Sequence, residues 1–530
     1  MKFDPLSGEV LAELDTIRRA CTRPTGSLDA IFFRASGGTI RLDLTSLQQG
    51  WISPMRPQCH DGVTIANGLL YWWPSVCDCQ NTLYGITCLG PAGDFDFSQK
   101  ASETERLELG KGDVNEVASF PESPSDWPTF RADNQGRATT EAEISEKYRR
   151  LWWLTPKQEF SPTAPVAAGG LVFFSGSDGI VRAIDFQTGE TRWKAYTGGA
   201  VRFPPTVWKG RVFVGSGDGW VYALEAKTGR LLWRFRAAPV DRKIPVYGSL
   251  QSTWPVGSGV LVEDGTAYLA AGIVNFDGTH VYALDAATGK IKWQNNTSGH
   301  LDPEARTGAS VQGHMLIHDG KLYLASGTSL SPAVYDITDG KCLNDPAPLK
   351  ECTSIHPRGW ELYLVENRVL VGGQPFYGHP DYPAYAWNVT RKIFHSSVGN
   401  RDIIWLDNNK VMCFNPIDTG LLDRLFVESN EESWMENIWL RNFEIPHKPL
   451  WEFELEESNA IALCKNAVVV ARSSAGGYAA VGAINLDDGE ILWGQALPSS
   501  PVPWGLAVDS EGRVVVTLKD GQVMCYGPRE

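Results

Sequence analysis

An all-β fold is predicted: a closed β-propeller of four-stranded blades, with eight blades favoured over seven or nine, in which the N- and C-terminal strands share one blade. Three observations predict it. The sequence repeats about every 40 residues, each unit is punctuated by the same two turns, and the chain ends look like two halves of one unit. In the clearest unit Leu171-Val172-Phe173-Phe174 is followed by Asp178-Gly179, Val181-Arg182-Ala183-Ile184-Asp185, Thr188-Gly189 and Trp193. The next holds Val212-Phe213-Val214, Asp218-Gly219, Val221-Tyr222-Ala223-Leu224-Glu225, Thr228-Gly229 and Trp233; a third ends Val281-Tyr282-Ala283-Leu284-Asp285, Thr288-Gly289 and Trp293. Short β-branched and aromatic runs bounded by Gly turns read as strands, and Asp-Gly between two of them is a hairpin signal because the tight turn needs positive φ.

Each unit therefore reads as strands A to D from centre to rim. Asp-Gly joins B to C, Thr-Gly joins C to D, and the Trp lies on D. With 20 Trp in the chain, several at this one position, most are expected to be packing residues. Good units start near Pro162, Phe203, Trp254, Gly313 and Asn459, and weaker ones near Ser27, Asp61, Trp360 and Arg401. Val523-Met524-Cys525-Tyr526 looks like a strand C without its D, and residues 3–11 like the missing turn and D strand. Joining them closes the ring and removes exposed sheet edges. Residues 1–530 then form a single propeller domain. Residues 96–125, charged and weakly patterned, read as a linker or surface excursion, and 426–448, acidic with Trp434, Trp439 and Phe443, as an insertion on the rim.

A net charge of −14 argues against binding nucleic acid, which needs a basic surface. No apolar run is long enough to span a membrane, and Met1–Gly8 carries no apolar signal core. There is no Walker loop, Gly-x-Ser-x-Gly, His-Glu-x-x-His or Cys-x-x-Cys-His. Gly215-x-Gly217 is a repeat turn, with no helix after it.

Residues 127–295 resemble the PQQ-type propeller repeats of quinoprotein dehydrogenases and outer-membrane assembly lipoproteins. The carriers are Asp126-Trp127-Pro128-Thr129-Phe130-Arg131 and the turn, strand and Trp positions above. Trp233–Pro239 followed by Gln251–Val256, and Gly373-Gln374-Pro375-Phe376-Tyr377, are similar to a poorly characterised bacterial group of such propellers. The resemblance implies a periplasmic or extracellular bacterial protein. The quinone itself stays an open cofactor reading, with three features of the sequence against it. The adjacent Cys-Cys pair of quinoprotein alcohol dehydrogenases is absent, Cys77-Asp78-Cys79 is no equivalent, and their calcium-binding Glu and Asn find no match.

In a propeller the D-to-A connections open on one face, where ligands usually bind. Cys21 and Cys59, with His60, fall in such loops, and Cys77 and Cys79 in a long B-to-C loop, of two neighbouring weak blades; they could hold zinc, copper or an iron–sulfur centre, or form disulfides or inert thiols. Cys88, Cys413, Cys464 and Cys525 read as core, and Cys342 and Cys352 as a candidate pair. Arg56, Arg202, Arg242, Arg306 and His300, with Tyr247 and Trp254, suit a small anionic or sugar-like ligand, Arg supplying forked donors to a carboxylate. His379, His314 and Tyr377 are the candidate acid–base residues. Three readings stay open: a ligand-binding propeller with metal-assisted oxidoreductase chemistry by analogy, a non-catalytic scaffold presenting a face to protein partners, and a lyase or hydrolase acting on acidic sugars.

Overall fold

The computed structural model describes the chain except residues 15–17, 19–21, 36–37, 54–56, 58–59, 75–85, 91–98, 247, 302–307, 327–329, 345–360, 373–392, 418–447, 475 and 530. It divides into two compact units where the repeat pattern alone suggests one. The first comprises residues 1–96 and 377–386, the second 97–376 and 387–530.

In the first unit a hairpin of Lys2–Phe3 and Val10–Ala12 is followed by a four-stranded sheet, Thr25–Gly26, Ala30–Ala35, Gly38–Asp43 and Gln49–Ser53. A three-stranded sheet follows, of Thr64–Ala66, Leu69–Trp72 and Thr87–Leu89. Ala30, Phe32 and Val63 pack with Trp72, whose indole N–H donates to Thr39 Oγ1 at 2.9 Å.

In the second unit eight blade sheets follow one another among the described residues, with a two-stranded hairpin of Lys243–Val246 and Ser249–Ser252 between the second and third. Their first strands are Val166–Ala168, Thr206–Trp208, Val256–Glu263, Met315–His318, Glu361–Val365, Ile393–Val398, Ser458–Leu463 and Pro501–Val508. These are the inner strands. They pack first on second, second on third, third on fourth, fifth on sixth, seventh on eighth, and eighth back on first. The Leu362 N–H donates to His314 Nε2 between the fourth and fifth blades, and Trp405 Nε1 donates to Ser458 Oγ between the sixth and seventh. The ring is closed.

Strand pairing follows the sequence pattern. In the first blade Leu171–Phe174 pairs antiparallel with Ile180–Asp185 around Asp178-Gly179, and Ile180–Asp185 with Thr191–Tyr196 around Thr188-Gly189. The Asp185 carboxylate accepts the N–H groups of Gln187 and Thr188, which folds that turn. In the first, second, third and sixth blades the repeated Trp staples the blade to the next. The indole N–H of Trp193 donates to Ala226 O at 2.8 Å, that of Trp233 to Ala286 O at 3.3 Å, that of Trp293 to Ile337 O at 2.9 Å, and that of Trp451 to Leu486 O at 2.9 Å. The Gly of the receiving turn lies under the ring. A Cβ on Gly229 would stand 2.6 Å from a Trp193 ring carbon.

The eighth blade corrects one expectation. Its rim strand is Tyr148–Leu154, paired with Val523–Pro528, and not residues 3–11, which belong to the separate N-terminal hairpin. The reason is the staple: residues 3–11 contain no Trp, whereas Trp152 donates to Phe186 O at 2.7 Å and covers Gly189.

Residues 99–125 run along the rim. The helical turn Glu103–Arg106 leads into Leu107–Leu109, which adds a fifth strand beside Leu231–Arg236 in the second blade. Glu103 accepts the Ile291 N–H, Glu225 that of Ala118, and Glu122 those of Lys209 and Gly210. The expected insertion at 426–448 lies, but for its last residue, outside the described residues.

Candidate functional site

Residues 126–146 cross the centre of the ring. Trp127 bridges Ala167 in the first blade, Pro128 O accepts from Val207 N in the second, and the Asn134 side chain donates to Val262 O in the third. Asn134 O accepts from Ile317 N in the fourth blade, and Ala138 and Thr140 bond Leu463 in the seventh. These partners stand toward the downstream ends of the inner strands, so the segment floors the central channel. Arg131 and Ala132 adopt left-handed backbone, φ 57° and 71°. That bend turns the chain and carries Arg131 inward.

Arg131 is fully buried. Its guanidinium lies 3.8 Å from the Trp504 ring centroid, 4.8 Å from that of Tyr363 and 5.0 Å from that of Phe130. Nη1 donates to Leu362 O at 2.7 Å, and Nη2 stands 3.8 Å from Glu361 Oε1. Glu361 also accepts the Trp504 indole N–H at 3.2 Å and the Tyr363 hydroxyl. Burial pushes the Arg131 pKa down, with Tyr363 and Glu361 opposing; burial and Glu361 raise Tyr363 well above the ordinary phenol range.

Above this pair, at the upstream ends of the inner strands, lies a cavity of about 180 Å³. Phe130, Phe203 and Trp504 supply its aromatic walls, Pro162, Pro204 and Pro503 its stiff rim, and Arg202, His314 and Glu361 its polar groups. Arg202 sits in the connection from the first blade to the second. It stays accessible and makes no hydrogen bond or ion pair with any described residue; the surrounding walls lower its pKa by desolvation. His314 is wholly buried. Nε2 accepts from Leu362 N at 2.9 Å, which assigns the proton to Nδ1, 3.0 Å from Met315 O. Burial and the neighbouring Arg131 push its pKa down to about 3.

Of the sequence candidates, Arg202 and His314 thus meet at the central mouth. With both ring nitrogens engaged, His314 ties two blades together and is not placed to exchange a proton with a ligand. Arg242, Trp254 and His300 belong to a second cluster, with Asp277 and His280. The Arg242 guanidinium lies 5.9 Å from the Trp254 ring, and Trp254 Nε1 donates to Asp277 O at 2.5 Å. Trp254, 1 % exposed, is packed inside and does not line a mouth. His60 is exposed in a turn. Arg56, Tyr247, Arg306, Tyr377, His379, Cys21, Cys59, Cys77 and Cys79 lie outside the described residues.

Cys413, Cys464 and Cys525 are buried free thiols, as expected of core residues. Cys88 is exposed because its strand is the edge of a three-stranded sheet. Cys342 is free and hydrogen-bonded to Asn344; Cys352 lies outside the described residues. Sequence reasoning missed Glu361, Asp277 and His280 altogether. It met Arg131 only as part of a motif.

The model of a repeat family described as outer membrane protein assembly factor BamB matches residues 177–349. Residues 177–349 are thus built of PQQ-type propeller repeats. No curated protein matches it. Among solved structures it is similar to the quinohemoprotein alcohol dehydrogenase ADHIIG of Pseudomonas putida HK5, at 15% identity and TM-score 0.51, covering 77% of this chain and 81% of that one. The quinohemoprotein alcohol dehydrogenase of Comamonas testosteroni shares 14% identity over 79% of this chain and 84% of that one, TM-score 0.48. At these identities the likeness is one of fold.

The described mouth does not fit a tricyclic quinone and its divalent cation. Its volume falls below the roughly 300–1,000 Å³ of pockets that hold drug-sized ligands. Its one carboxylate, Glu361, is held by Arg131, Trp504 and Tyr363. Among the described residues no three His, Cys, Asp or Glu side chains gather as a metal site.

Proposed function

We propose that this chain is an exported propeller that binds a small organic anion, a carboxylate of a few carbons, at its central mouth. The observation that carries the reading is Arg202. Its guanidinium has no partner among the described residues and stands over a cavity of about 180 Å³ whose other walls are largely aromatic rings and prolines. A carboxylate would accept two parallel N–H bonds from it while its carbon chain lay against Phe130, Phe203 and Trp504. The floor made by residues 126–146 makes the mouth blind, so ligand enters and leaves by one face. Because His314 is spoken for on both nitrogens, the described mouth offers binding and not a general base.

Calorimetric titration with acetate, pyruvate, malonate and glucuronate tests this. At least one should bind, Arg202→Ala should weaken it roughly 10- to 100-fold, as loss of a charged hydrogen-bond pair does, and Arg202→Lys should recover part. Binding by none of the four, or equal binding by Arg202→Ala, overturns the reading and favours the scaffold alternative, which the family match over residues 177–349 supports.

A further inference from the structure

The rim segment covers a second polar interior, away from the mouth. Strand His280–Asp285 presents His280 and Tyr282 on one face, because side chains alternate along a strand. That face meets the end of the second blade. The Phe235 ring packs edge-on against Tyr282, centroids 5.2 Å apart, and the Tyr282 hydroxyl donates to Ala237 O at 3.0 Å. The helical turn Glu103–Arg106 then lays Arg106 over it, Nη1 donating to the Tyr282 oxygen at 3.0 Å.

Arg106 is 3 % exposed, yet no carboxylate among the described residues pairs with it. The acids of its own segment are turned elsewhere: Glu103 accepts the Ile291 N–H, Glu105 is exposed, and Glu108 pairs with Arg234 at 2.6 Å. Asp277 has Arg242 as its neighbouring cation. Meanwhile Arg106 Nε and both ring nitrogens of His280 are closed to solvent and have no hydrogen-bond partner among the described residues. Among the described residues Arg106 is thus a buried charge without a counter-charge, among the costliest arrangements in a protein interior. Water would satisfy donors but would not supply the missing negative charge.

We propose that Arg106 and His280 form an internal site for a halide-sized anion, which accepts from Arg106 Nε–H and a His280 N–H and joins the rim segment to the third blade. Burial, with Arg106 and His300, holds His280 neutral, so it serves as donor without adding charge of its own.

The test is melting temperature in sodium bromide against sodium gluconate at equal ionic strength, on the full chain. Wild type should melt higher in bromide, with a saturable dependence. Arg106→Gln and His280→Gln should each lose most of that difference, while Arg202→Ala should keep it, which separates this site from the mouth. Should Arg106→Gln fail to fold, His280→Gln decides alone. Equal melting of wild type in both salts, a dependence kept in His280→Gln, or one abolished by Arg202→Ala would overturn the proposal.

Discussion

Arg131 carries its charge into the middle of the ring, and three aromatic faces and Glu361 are what make that tolerable. The arrangement is tightly balanced, because a buried ion pair contributes little net stability while a buried ion left alone is expensive. Replacing Glu361 by Gln should therefore cost about 3 kcal/mol in urea denaturation, and adding Arg131→Met to that variant should restore part of the loss by removing the stranded charge. An unchanged urea midpoint in Glu361→Gln would show that the aromatic faces alone carry the guanidinium. Nothing in the 40-residue pattern marks either residue. Arg131 stands outside every repeat, in a motif whose path across the channel exists only once the blades surround it. Glu361 is one acid beside one Trp in a weak unit. Arg202 was legible, since the connection that holds it follows from the strand count.

At the level of the blade, the Trp and the Thr-Gly turn are two halves of one joint, and they sit in different repeats. Gly229 needs its missing side chain twice over. Its φ is 73°, and the Trp193 ring occupies the space a Cβ would take. Gly170, φ 77°, has the same backbone with nothing within 4 Å. Ala at Gly170 should cost about 1 kcal/mol, the strain of left-handed backbone alone. At Gly229 it should cost about 3 kcal/mol or more, because a packed ring must also move. Chemical denaturation of the two variants separates strain from packing; equal losses would mean that the staple adds nothing. The repeat positions were readable because the same joint recurs, and a recurring joint leaves a recurring pair of residues.

For the molecule as a whole, closure depends on which strand meets Val523–Pro528. Because the partner is Tyr148–Leu154, removing residues 1–12 should leave the melting of the propeller unit within a few degrees of the full chain. Ending the chain after Gln522 should abolish a single cooperative transition in circular dichroism, since both the eighth blade and its neighbour through Trp152 lose their edge. Cooperative melting of the chain cut at Gln522 would mean that the ring holds without its seam. The seam is also where the staple lapses. Trp493, on the rim strand of the seventh blade, has a buried indole N–H without a partner among the described residues, and Tyr148 stacks on its ring at 4.3 Å in place of a turn.

By itself the sequence determined the strand alternation, the two turns, the Trp positions and hence an all-β ring of PQQ-type blades, because each of these is a local demand repeated within some 40 residues. Only the tertiary structure decided which segment closes the ring, how residues 126–146 floor its channel, and which charged side chains share a cavity. Those contacts join residues hundreds of positions apart, where spacing along the chain carries no record of distance in space.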